Sequence, residues 1–103
     1  MISVTEKSFV SEVEESDRLV VVDLWAPWCG PCVMLAPTLE ELEREYPEVK
    51  FCKVNVDEEP ALATMFKVDT IPFIALVKDN VFLDFSIGYV PKQKLAELIE
   101  KYK

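Results

Sequence analysis

Leu19-Val20-Val21-Val22-Asp23-Leu24-Trp25-Ala26-Pro27-Trp28-Cys29-Gly30-Pro31-Cys32 is the stretch that decides the fold. Its first eight residues form a β-branched apolar run with one carboxylate, the pattern of a strand buried on both faces of a sheet. Pro27-Trp28-Cys29-Gly30-Pro31 ends that strand. Beyond it, Leu35, Leu39, Leu42 and Tyr46 recur at helical spacing, and Glu40, Glu41, Glu43, Arg44 and Glu45 form a solvated outer face. Pro37 lies inside this helix, removes one backbone donor and is expected to kink it, and Pro47 stops it. Two cysteines therefore sit where a buried strand hands over to a helix.

Working outward, Ile2 to Val4 read as a short strand. Thr5 can cap a helix over 6–15 with Phe9, Val10 and Val13 on one face. After the central helix, Val49 to Val56 read as a second buried strand. Glu58 to Phe66 read as a short helix with Pro60 in its first turn. Phe73 to Val77 and Val81 to Ile87 read as strands joined across Lys78-Asp79-Asn80, where Asn80 best tolerates a positive φ. Pro91 opens a last helix with Leu95, Leu98, Ile99 and Tyr102 on one stripe. The order β-α-β-α-β-α-β-β-α predicts an α/β fold, with helices on both faces of a central mixed sheet. There is no repeat and no linker-like run, so residues 1–103 read as a single domain.

Composition removes many chemistries. The 103 residues include two glycines, no histidine and three cysteines. Two glycines cannot build a phosphate loop or a dinucleotide fingerprint, so no flavin or nicotinamide site is expected and no cofactor. Without histidine there is no His-based triad and no His metal ligand. Nineteen acidic and 11 basic residues leave a formal net charge of −8, which disfavours nucleic acid. The N-terminus lacks the pattern of a signal peptide. Leu19 to Trp28 is too short to span a bilayer and carries Asp23. The expectation is a soluble, cytoplasmic chain with no membrane association. An odd cysteine number also argues against a secreted disulfide framework.

The thiol pair carries the chemistry. At the helix N-terminus, unpaired amides and the helix dipole stabilise a thiolate, so the Cys29 pKa should fall. Cys32 lies about one turn on, facing the same way, so the two sulfurs can close and reopen a disulfide ring. Pro31 suits the first helical turn, and Gly30 is expected to let the chain bend without a Cβ clash. The predicted chemistry is thiol–disulfide exchange, with attack by Cys29 and resolution by Cys32. A half zinc site is the competing reading of the spacing. With no histidine it would need a carboxylate from elsewhere, and no metal is expected.

Asp23 is costly if buried and ionised, and burial should raise its pKa toward neutrality. Two compatible roles fit it: proton acceptor for Cys32 beneath the thiol turn, and partner of a buried lysine, for which Lys53 is the candidate. The Lys53 charge would pull the Asp23 pKa back down. Trp25 reads as core and active-site support, and Trp28 as a contact surface beside the nucleophile. Cys52, on a central strand, reads as a small buried hydrophobe, with a regulatory or intermolecular thiol as the alternative.

These residues closely resemble the thioredoxin family. Trp25-Ala26-Pro27-Trp28-Cys29-Gly30-Pro31-Cys32 matches its active-site octapeptide at every position, and the resemblance covers essentially the whole chain. Asp23 falls at the family's buried aspartate, Pro37 at its kinking proline and Lys53 at its buried lysine. Thr70-Ile71-Pro72 resembles the loop whose cis proline faces the sulfurs, and Gly88 the glycine after the last strand. The resemblance implies a thioredoxin fold of five strands and four helices. It also implies that an extended substrate pairs with the backbone of Ile71, across a groove lined by Trp28, Pro72 and Gly88. Its partners would be disulfide-containing proteins and a separate thioredoxin reductase, with the chain acting as a monomeric electron carrier. Several residues depart from the family pattern: Val33 where lysine or arginine is usual, Tyr89 after Gly88, Phe73 after Pro72, Asp69 beside the docking loop, and Asn80 for the turn glycine. None removes a catalytic group, and together they suggest an altered partner surface.

Three functions compete on this footing. A general disulfide reductase leads. The same fold could serve as an oxidant or isomerase, against which Gly30-Pro31 and the missing signal peptide argue. A binding or chaperone module is the third, against which intact Cys29, Cys32, Asp23 and Pro72 argue.

Overall fold

The structure is a computed structural model covering Met1 to Lys103. Five strands form one sheet: β1 (Ile2–Ser3), β2 (Val20–Trp25), β3 (Lys50–Asn55), β4 (Phe73–Lys78) and β5 (Val81–Ile87). Their spatial order is β1-β3-β2-β4-β5. β1 and β2 run parallel to β3, β4 runs antiparallel to β2, and β5 closes the edge antiparallel to β4. Three α-helices, α1 (Gly30–Glu45), α2 (Pro60–Met65) and α3 (Lys92–Tyr102), and one π-helix, Val10–Glu14, complete the expected mixed sheet with four helices.

The pleat of β2 sorts its side chains between two cores. Val20, Val22 and Leu24 pack with Val4, Phe9, Val13 and Leu62 on one face. Val21 packs on the other face with Leu35, Leu39 and Leu42 of α1 and with Leu95 and Ile99 of α3. Asp23 is two residues from Val21 and so shares its face, the one that α1 covers. This alternation sets the carboxylate under the helix that carries the cysteines.

The first helix differs from its expected form. In place of an α-helix over 6–15, a turn leads into the π-helix, closed by the Glu15 N–H donating to the Val10 carbonyl at 2.8 Å. Thr5 does cap this segment: its Oγ1 accepts from the Ser8 N–H at 3.3 Å, and Ser8 Oγ accepts from the Thr5 N–H at 3.0 Å, a reciprocal capping box. Phe9 and Val13 are buried, but Val10 is exposed, correcting its place on the apolar face. The wider turn rotates Val10 away from the sheet.

The β4–β5 hairpin turns through two residues at positive φ, Asp79 at 52° and Asn80 at 61°, as a two-residue turn of the I′ kind requires. Asp79 thus shares the positive φ expected of Asn80. Further along, β5 carries one extra residue, since Leu76 faces Asp84 while Val77 faces Phe82. Phe82 and Phe85, three apart, consequently lie on one face, opposite Val77 and Ala75, which share a core cluster.

Candidate active site

β2 ends at Trp25, Ala26 is fully buried, and the chain turns into α1 with Cys29 as its N-cap. Cys29 and Cys32 are disulfide-bonded, with their Cα atoms 5.2 Å apart. The Cys32 N–H donates to Cys29 Sγ at 3.2 Å. That sulfur therefore occupies the place a capping oxygen usually takes, on an amide the helix leaves free. Pro31 lies in the first turn, as expected. Gly30 has no steric need to be glycine: an added Cβ would meet nothing within 4 Å. Its φ is not positive either, so the expected Cβ clash does not exist. Gly30 is the first residue of α1 and is exposed.

Cys29 and Cys32 pack with Ala26 in a small apolar cluster, against Trp25, Val56 and Ile71. The Ile71–Pro72 peptide bond is cis. Cys29 Sγ lies 3.9 Å from the Ile71 carbonyl oxygen. Gly88, at φ +84°, donates its N–H to the Pro72 carbonyl at 2.8 Å. Of the four expected docking positions, Ile71 packs against the disulfide cluster, and Pro72, joined to it by the cis bond, accepts from Gly88. Pro72 itself is buried, while Ile71 and Gly88 are half-buried.

Asp23 is 5% exposed. Its Oδ1 has no hydrogen-bond partner in the fold. Burial pushes its carboxyl up to about 7, against a smaller opposing pull from the Lys53 charge. Asp23 and Lys53 are register neighbours on β2 and β3. Yet they make no ion pair, which corrects the expectation of a buried lysine partner. Lys53 is half-buried, and its ammonium lies 5.6 Å from the centre of the Trp25 ring, a cation–π placement. Asp23, Trp25, Cys32 and Lys53 line one cavity of about 430 Å³. Trp25 also buries an indole N–H without a partner.

Trp28 is 69% exposed beside the disulfide. Its indole N–H donates to Asp57 Oδ2 at 2.7 Å. Nothing in the local sequence marks Asp57 as a neighbour of the thiol turn. It lies 29 residues away, in the turn after β3, and only the fold joins the two. Met34 and Val33, on the outer side of α1, and Tyr89, after Gly88, are exposed apolar neighbours in sequence of the site residues. No group of three or more His, Cys, Asp or Glu side chains is placed to hold a metal ion. Cys52 is fully buried and free, and burial pushes its thiol up to about 11.

Comparison with known proteins agrees with this geometry. The Thioredoxin family model matches residues 1–101. The chain is 44% identical to Thioredoxin 1 of Synechococcus elongatus, covering 97% of this chain and 94% of that one. It is 41% identical to the Thioredoxin of Bacillus subtilis, covering 99% and 97%. It is 45% identical to Thioredoxin M5, chloroplastic, of Oryza sativa, covering 94% of this chain and 57% of that one.

Proposed function

Because the chain belongs to the thioredoxin family and is a thioredoxin-type dithiol–disulfide reductase, we propose that Cys29 is its attacking thiolate, Cys32 its resolving thiol and Asp23 the acceptor of the Cys32 proton. The observation that carries this reading is the Cys32 amide on Cys29 Sγ at the head of α1. A donor and a helix terminus aimed at one sulfur favour its anion. Cys32 has no such position, so the two thiols take different roles.

The steps balance as follows. The Cys29 thiolate attacks one sulfur of a substrate disulfide, the substrate S–S bond breaks, and the departing thiolate takes a proton from water. Cys32 gives its proton to the Asp23 carboxylate through the cavity they share, which is wide enough for a water relay. The Cys32 thiolate attacks Cys29 Sγ, the mixed disulfide breaks, and the second substrate sulfur leaves as a thiolate that takes a proton from water, while Asp23 returns its proton to solvent. Two electrons have moved to the substrate, and the Cys29–Cys32 disulfide remains.

Disulfide substrates and an electron-donating reductase go with the family. We take the substrates to be proteins. An extended segment would pair with the Ile71 backbone, against Trp28, Pro72 and Gly88, where the Ile71 carbonyl lies 3.9 Å from the attacking sulfur. Trp25 and Lys53 support Asp23, and Gly30 and Pro31 shape the turn. We take residues 1–103 to act as one monomeric domain, reduced by a thioredoxin reductase, in the cytoplasm. No helix is long and apolar enough to cross a membrane.

The test is reduction of a disulfide-bonded protein such as insulin by the reduced chain. Cys29→Ser should abolish it, and Cys32→Ser should accumulate a mixed disulfide with the substrate through Cys29. Residual turnover by Cys29→Ser would remove the nucleophile assignment. Absence of the adduct in Cys32→Ser would remove the resolving role.

A further inference from the structure

A groove of about 380 Å³ opens beside Trp28, between α2 and the Ile71 loop. Trp28, Val56, Val68 and Ile71 give it apolar walls, and Asp69 is its one charged lining residue. Asp69 is exposed and takes part in none of the chain's ion pairs. The cation nearest to it in sequence, Lys67, lines a different cavity with Phe9, Phe66 and Phe82. A second carboxylate, Asp57, lies next to Val56 and is held by the Trp28 indole. Two walls of the groove, Trp28 and Ile71, also flank the disulfide, and Ile71 packs against the cysteine cluster.

We propose that Asp69 is a specificity-determining residue, selecting substrates that carry a lysine or arginine beside the attacked cysteine and taking that side chain into the Trp28–Ile71 groove. The inference rests on the docking reading above and adds the substrate's charge to it. A groove with apolar walls and one unpaired carboxylate among its lining residues matches a side chain with an aliphatic stem and a cationic head. A glutamate or aspartate in the same place would face Asp69 with no cation among the lining residues to offset it, which disfavours the wrong substrate as well as favouring the right one. The chain's net charge of −8 reinforces this on approach.

The experiment uses two disulfide-bonded peptides of otherwise equal sequence, one with lysine and one with glutamate on each side of the attacked cysteine. Single-turnover reduction by the reduced chain is measured at low and high salt. The wild type should reduce the lysine peptide faster. Asp69→Asn should shrink the lysine-to-glutamate rate ratio by about two- to fivefold, the range of one exposed ion pair. Asp69→Lys should shrink it further, and high salt should blunt every difference. The uncharged disulfide of 2-mercaptoethanol should be reduced at the same rate by wild type and Asp69→Asn. Asp79→Asn makes the same change of net charge at the distant hairpin, with a residue that suits its positive φ, and should leave the ratio unchanged. An equal loss in Asp69→Asn and Asp79→Asn would assign the preference to overall charge and overturn the proposal. An unchanged ratio in Asp69→Asn would do the same. Failure of the wild type to reduce either peptide, while still reducing the 2-mercaptoethanol disulfide, would instead overturn the docking reading beneath it.

Discussion

Asp23 is the residue on which stability and chemistry pull apart. Its carboxyl sits near 7 because burial disfavours the charged form, and Lys53 only partly offsets this. Unfolded, the same group ionises near its ordinary value of 3.8. Between those two values the folded chain holds a proton that the unfolded chain has released. Stability from Asp23 is therefore complete below about 4, falls as pH rises and is gone above about 7. Asp23→Asn should be more stable than wild type at about pH 8, by on the order of a few kcal/mol, with the gain vanishing toward pH 4. Urea unfolding of the oxidised proteins at both pH values reads this directly. Reductase turnover should move the other way. With Asp23 as the proposed proton acceptor, wild-type turnover should rise as pH passes through about 7, and the asparagine variant should lose that rise. A pH-independent stability difference would mean that Asp23 is not buried as described. Cys52 is the contrasting residue: buried, with its thiol pushed up to about 11, it has no thiolate to offer near neutrality.

At the scale of elements, α1 joins the core to the site. Leu35, Leu39 and Leu42 are fully buried against β2, β3 and α3, and the same helix presents Cys29 at its head. Leu39→Ala should cost about 2–5 kcal/mol in denaturant unfolding, as a large-to-small change in a close-packed core. The reduced variant should still exchange disulfides, because Leu39 touches neither sulfur. This helix, the strands and Asp23 were legible in the sequence because periodicity and burial make the same demand there. The π-helix was not. Phe9, Val10 and Val13 fit an α-helical face, and only the wider π turn, which the spacing does not reveal, turns Val10 outward. The missing Asp23–Lys53 ion pair was also hidden, since register puts the residues side by side without deciding where a long side chain turns. Asp57 could not be found because its partner is 29 residues away. The bulge that brings Phe82 and Phe85 to one face left no mark on the period-2 pattern beyond a single misplaced residue.

At the scale of the whole molecule, charge sets the direction of electron flow. A dithiol becomes a strong oxidant when its reduced form is stabilised, most simply by cations around the thiolate. Here Gly30 and Pro31 separate the cysteines, Val33 follows them, histidine is absent and the chain carries a net charge of −8. The Cys32 amide is the one donor observed on Cys29 Sγ. Asp23 lies in the cavity that reaches Cys32 and disfavours a second negative charge there. On the proposed mechanism the Cys29 thiolate is stabilised by this amide and the helix terminus, without the surrounding cations that would make the couple oxidising. The central claim is that this chain gives electrons to substrates, and its most direct test is the redox equilibrium of the Cys29–Cys32 couple. The chain is equilibrated in glutathione buffers of graded composition, quenched with acid and alkylated, and the oxidised fraction is read by mass. The account predicts a couple more reducing than glutathione, with the disulfide persisting until the buffer is almost wholly reduced. A couple that stays as the dithiol in largely oxidised glutathione would contradict it and make the chain an oxidant.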